Sequence, residues 1–75
     1  GYLRTMEGVE VLVIFTEVAG GRVRVNFRSQ GKMDVARIAA QFQGGGHHKA
    51  SGCELSGTMG AVRRKVLAEM KKQVC

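Results

Sequence analysis

The residues whose types could do chemistry are gathered in one stretch, Gly44-Gly45-Gly46-His47-His48-Lys49, followed by Ala50-Ser51-Gly52. Three glycines leave the backbone bare, so a ligand can approach main-chain N–H groups that a Cβ would shield. The histidines and lysine add donors and positive charge. Such a stretch binds an anion more readily than it performs acid–base or nucleophilic chemistry, because it offers neither a paired carboxylate nor an activated nucleophile. His47 follows the bare turn directly and can be neutral or charged near neutral pH, so it is placed to donate to a phosphate or a ribose. His48 and Lys49 are further candidates.

Other readings of these residues are weaker. The P-loop and dinucleotide fingerprints need glycine spacings between a strand and a helix that do not occur here. His47, His48, Cys53 and Cys75 fit no common zinc spacing, and adjacent histidines on extended backbone tend to point apart. Ser51 and Cys53 lack an orienting third residue for nucleophilic catalysis. Gly57-Thr58-Met59-Gly60 formally matches the G-x-x-G of an RNA-binding module, but capping of a helix explains it better. The six acidic residues are scattered, so no metal cluster is expected in this chain.

Composition narrows the partners. Seventy-five residues make one domain, of a size that buries only about 60% of its unfolded surface. A net charge of +6 favours anionic partners such as nucleic acid or nucleotides. Only four aromatic residues, Tyr2, Phe15, Phe27 and Phe42, argue against a stacking platform for several bare bases. Two cysteines make no disulfide framework and suit a reducing cytosol. No apolar run approaches the roughly 18 residues that span a bilayer, and the expected location is cytoplasmic. An opening Gly1-Tyr2 without a methionine reads as a segment cut from a longer chain.

The elements that must position the stretch follow from periodicity. Tyr2 to Glu7 shows little pattern and reads as entry from a preceding segment. Val9 to Thr16 is a strand, with Val9, Val11, Val13 and Phe15 on one face and Leu12 and Ile14 on the other. Ala19-Gly20-Gly21 is a hairpin turn. Arg22 to Arg28 returns with Val23, Val25 and Phe27 inward and Arg24, Asn26 and Arg28 outward. Asp34 caps a short helix whose apolar face is Val35, Ile38, Ala39 and Phe42, and Gly44 at C′ ends it. One glycine would suffice for that stop. Ala50 to Leu55 is a short strand, and Thr58 caps a last helix with Met59, Val62, Val66, Met70 and Val74 buried. The order β-β-α-β-α predicts an α/β domain, a small mixed sheet with helices on one face.

These residues resemble a known family. Gly44-Gly45-Gly46-His47-His48-Lys49-Ala50-Ser51-Gly52 is similar to the GGGHxxAxG signature of the DHH-associated C-terminal domain of DHH-family phosphoesterases. Val23 to Ser29 resembles the strand ending in Arg-Ser that precedes it, and Asp34 to Ala39 the following helix. The resemblance covers nearly the whole chain, 1–75. It implies a substrate-binding domain behind a larger catalytic domain that carries Mn²⁺ or Mg²⁺ and the attacking water; no cofactor is implied in this chain itself. Gly44, Gly45, Gly46 and His47 would hold the nucleotide end or its phosphate, with Arg28 and Ser29 added from the strand. His48 and Lys49 occupy the signature's variable positions. The group most resembled degrades short oligoribonucleotides and dephosphorylates 3′-phosphoadenosine 5′-phosphate, and is often termed exopolyphosphatase-related. RecJ-type exonucleases and cyclic dinucleotide phosphodiesterases share the signature. A relative of the domain ends alanyl-tRNA synthetases, where it contributes to tRNA binding and oligomerisation. No Asp-His-His sequence occurs in this chain. Incubated alone with Mn²⁺ and a dinucleotide, the chain is expected to release no product; metal-dependent turnover by the pure chain would contradict the assignment of catalysis to another domain.

Overall fold

The computed structural model describes residues 2–6 and 9–74, with side chains from 11 to 73. Five strands and two helices follow in the order β1 (Tyr2–Met6), β2 (Val9–Val18), β3 (Arg22–Ser29), α1 (Val35–Ala40), β4 (Gly45–His47), β5 (Ala50–Ser56) and α2 (Met59–Val74). The strands form one sheet in the order β1-β2-β3-β5-β4. All four ladders are antiparallel, so the sheet is not mixed. The helix-bearing connection from β3 to β5 joins antiparallel neighbours, so it is not a parallel crossover.

The predicted elements all occur, and two strands join them. β1 pairs with β2 from Tyr2↔Val13 to Met6↔Val9. A strand that leans on backbone pairing at a sheet edge needs no strong periodicity of its own, which explains why the opening residues read as patternless. β4 lies within the glycine stretch and pairs with β5 as Gly45↔Gly52, Gly46↔Ser51 and His47↔Ala50. Glycine disfavours strands, so this element is invisible to propensity.

Alternation sorts the sheet into a covered and an open face. Val11, Val13, Val23, Val25, Phe27 and Cys53 are buried on the covered side and pack with Val35, Ile38, Ala39, Val62, Val66 and Met70 of the helices. Each fully buried Val, Ile or Phe contributes on the order of 1.5–3 kcal/mol. Both helices therefore sit on one face. The side chains of Val9 and Val74, also expected in this core, lie outside the described ones, as does Cys75.

Local chemistry sets the boundaries. Gly20 and Gly21 take φ of 85° and 69°, left-handed values that glycine adopts without strain, in the three-residue loop between the paired Val18 and Arg22. The Asp34 carboxylate accepts from the Ala36 N–H at 3.0 Å, and the Thr58 hydroxyl from the Ala61 N–H at 3.2 Å, so both caps form as expected. The stop of α1 differs from expectation. The left-handed residue is Gln43, with φ 64°, while the Gly44 N–H donates to the Ala39 carbonyl at 2.8 Å.

Gly44 is required for another reason. A Cβ there would lie 2.2 Å from the Gly52 carbonyl oxygen and 2.6 Å from Cys53 Cβ, so only glycine lets the chain leave α1 and close onto β5. Gly45 is the opposite case: a Cβ would meet nothing within 4 Å. Gly44→Ala is accordingly expected to destabilise the fold by about 2 kcal/mol or more, whereas Gly45→Ala should change it by less than about 0.5 kcal/mol. Urea denaturation followed by circular dichroism checks this; equal losses would contradict the packing role given to Gly44.

Candidate phosphate-binding groove

The open face of the sheet is where the sequence candidates meet. Cross-strand register arranges its outward residues in rows. One row runs Leu12, Arg28, Ala50 and His47 across β2, β3, β5 and β4; the next runs Ile14, Asn26, Gly52 and Gly45. Two residues along the strands separate the rows, about 7 Å. A depression of about 420 Å³ lies over both rows, lined among others by Asn26, Arg28, Gly45, Gly46, Ala50 and Gly52. Its floor consists of glycine and alanine. Arg28 and Asn26 rise along one wall as exposed side chains.

The turn at one end of the groove is tied down by backbone bonds. The Ser29 N–H donates to the Lys49 carbonyl and the Val35 N–H to the His48 carbonyl, both at 2.9 Å. The Lys49 N–H donates to His47 Nδ1 at 3.2 Å. Because that nitrogen accepts, the neutral His47 ring carries its proton on Nε2 and presents it as a donor. The His47 and His48 rings lie against each other, centroids 4.0 Å apart and tilted by 34°. Adjacent histidines thus converge here, because His47 ends β4 and His48 already belongs to the turn.

The structure separates the sequence candidates into three groups. Arg28, Gly45 and Gly46 line the groove. His47, His48 and Lys49 form the exposed turn at its end. Gly44 and Ser29 serve the framework: the Gly44 N–H is taken by Ala39, and Ser29 is buried on the covered face. The Ser29 hydroxyl has no hydrogen-bond partner among the described residues, and it faces away from Arg28. Its backbone N–H, in contrast, holds the turn. Ser51 is similar, buried with its hydroxyl donating to the Val35 carbonyl at 2.7 Å.

Sequence reasoning did not single out Asn26, Gly52 or Ile14. Register is the missing information, since only strand pairing brings them beside Gly45. Further along the open face a second depression, about 480 Å³, shares Asn26 and Gly52 with the first and is lined also by Arg22, Arg24 and Glu54. Arg22 Nε donates to one Glu54 oxygen at 3.0 Å, and Arg24 Nε and Nη2 to the other at 3.3 Å. Hydrogen bonds from Arg22 and Arg24 hold the Glu54 carboxyl below its ordinary value. That exposed carboxylate orients both guanidinium groups and adds little stability.

With this geometry in place, comparison with known proteins gives the class. Residues 1–74 match the DHHA1 domain, and the chain belongs to that family. It is also 33% identical over 72 residues, 96% of its length, to the bifunctional oligoribonuclease and PAP phosphatase NrnA of Mycoplasma pneumoniae. The matched segment is 21% of that relative, so the chain spans about a fifth of it.

Cys53, beside the groove floor but on the covered face, is buried. Burial pushes its thiol from an ordinary 9.0 up to about 11. The reactive thiolate is therefore scarce at neutral pH. Because the folded value is the higher one, the stability linked to this thiol is complete below pH 9.0 and is lost as pH rises through about 11. Iodoacetamide labelling at Cys53, read by mass spectrometry, is expected to be slow in the folded chain near neutral pH and fast in urea; equal rates would contradict the burial.

Proposed function

We propose that this chain is the substrate-holding domain of a metal-dependent phosphoesterase, positioning the phosphate of a short oligoribonucleotide or of 3′-phosphoadenosine 5′-phosphate. The observation that carries the reading is the groove: Arg28 stands over a floor of Gly45, Gly46, Ala50 and Gly52. A guanidinium offers a planar fork of donors to phosphate oxygens. His47 Nε2–H adds a donor from the turn, and β4, as an edge strand, has backbone N–H groups without a sheet partner. Family membership and the printed name of the Mycoplasma relative agree with this choice of substrate class.

Orientation is what these groups supply. Holding a phosphate in one geometry converts the attack of water into an effectively unimolecular step. The metal that such a reaction uses does not fit the residues described here. Asp34 is taken by a helix cap and Glu54 by two arginines; Glu69 accepts from Gln73. No three His, Cys, Asp or Glu converge among the described residues. On this reading the metal is held by another domain.

A second reading, an RNA-binding module without hydrolysis, draws on α2. Arg63, Arg64, Lys65, Lys71 and Lys72 are all exposed on that helix, on the side of the sheet opposite the groove. The two readings predict different variants to fail. In the full-length protein, Arg28→Ala and His47→Ala are each expected to lower kcat/KM on a dinucleotide by about 10- to 100-fold. Replacing Arg63, Arg64, Lys71 and Lys72 by alanine together should change it by less than about threefold. Large, salt-sensitive losses from the helix variant with little effect of Arg28→Ala would favour the binding module instead.

A further inference from the structure

The row next to Arg28 has features that a phosphate alone does not account for. Gly45 and Gly52 are register partners on neighbouring strands and face the same open side. Gly45 has no steric or conformational need to be glycine, since a Cβ would meet nothing within 4 Å and its φ is not left-handed. Its bareness leaves a flat strip of peptide planes exposed. Ile14, 39% exposed, flanks the far end of the row and is the one exposed large hydrophobic among the described residues.

Asn26 stands between them. A Cβ on Gly52 would sit 3.2 Å from Asn26 Nδ2, so the amide leans over the edge of the glycine strip. No hydrogen bond of that amide is found among the described residues. An exposed primary amide offers one acceptor and two donors in a plane. The two depressions of the open face meet at Asn26 and Gly52, so the strip is continuous with the place where Arg28 stands, about 7 Å away along the strand.

We infer that the strip formed by Gly45 and Gly52 is a nucleobase subsite, with Asn26 reading the base edge, and that it favours an adenine-type edge. The inference rests on the phosphate reading of Arg28 and deepens it. A flat heteroaromatic ring lies against bare peptide planes where a side chain would hold it off. Ile14 supplies apolar contact at its rim. The Asn26 carbonyl accepts from an exocyclic amine while its NH₂ donates to the adjacent ring nitrogen, the bidentate pairing that asparagine makes with adenine N6 and N7. Phosphate and base rows lie about one nucleotide's reach apart.

The test compares AMP, inosine monophosphate and ribose 5-phosphate, by calorimetry on the full-length protein with EDTA present. Wild type is expected to bind AMP about 10-fold or more tighter than ribose 5-phosphate, and tighter than inosine monophosphate, which lacks the exocyclic amine. Gly45→Leu, which fills the strip at a position where the fold leaves open space, should bring AMP close to ribose 5-phosphate. Asn26→Ala should remove the preference for AMP over inosine monophosphate. Each variant is read as the ratio of AMP to ribose 5-phosphate affinity on that same variant, so that any change in phosphate binding shared by all ligands cancels, and Arg28→Ala should weaken all three ligands together. If Arg28→Ala weakens all three but neither other variant alters the ratios, the base subsite is wrong and the phosphate reading stands. If Arg28→Ala changes nothing, the phosphate reading fails and the base subsite with it.

Discussion

The close approach of β4 to β5 is the constraint on which the rest of the site depends. It exists because Gly44 and Gly46 have no side chains: a Cβ on Gly44 would run into the Gly52 carbonyl and Cys53, and one on Gly46 into the Ala50 carbonyl and Ser51. With that approach made, the chain reverses over His48 and Lys49, and the carbonyls of those two residues are caught by the Ser29 and Val35 N–H groups. These bonds come from the end of β3 and the start of α1. Two elements distant in sequence from the turn therefore fix it, and the groove inherits that rigidity.

Placement of charge follows from the same architecture. Both helices cover one face of the sheet, so the outward residues of β3 remain in the open, and Arg22, Arg24, Asn26 and Arg28 form a line along it. Glu54 engages the first two guanidinium groups. Arg28, at the glycine end, has no acidic partner among the described residues. The free cation stands where the backbone is barest, which is the combination an anion requires.

Much of this was legible in the sequence, and the parts that were not share a cause. β2, β3, α1, α2 and both caps are written in local pattern: period-two valines, an i, i+3, i+4, i+7 stripe, and Asp34 and Thr58 before their helices. Strand β4 is not, because its residues are glycines whose strand state comes from pairing alone. The role of Gly44 was misread for a related reason; helix stops commonly use glycine at C′, but Gln43 takes the left-handed position here and the need at Gly44 is a long-range contact. The resemblance assigns Arg28 and Ser29 to the substrate together. On a strand, adjacency sends them to opposite faces.

The central claim is that the open groove, and not the basic helix, receives the nucleotide phosphate. Amide chemical-shift mapping of the full-length protein during titration with AMP tests it most directly. Perturbations concentrated on Arg28, Gly45, Gly46 and Ala50, with Arg63 to Lys72 unmoved, are the predicted result. Perturbations concentrated on the last helix, with the glycine strand silent, would contradict it.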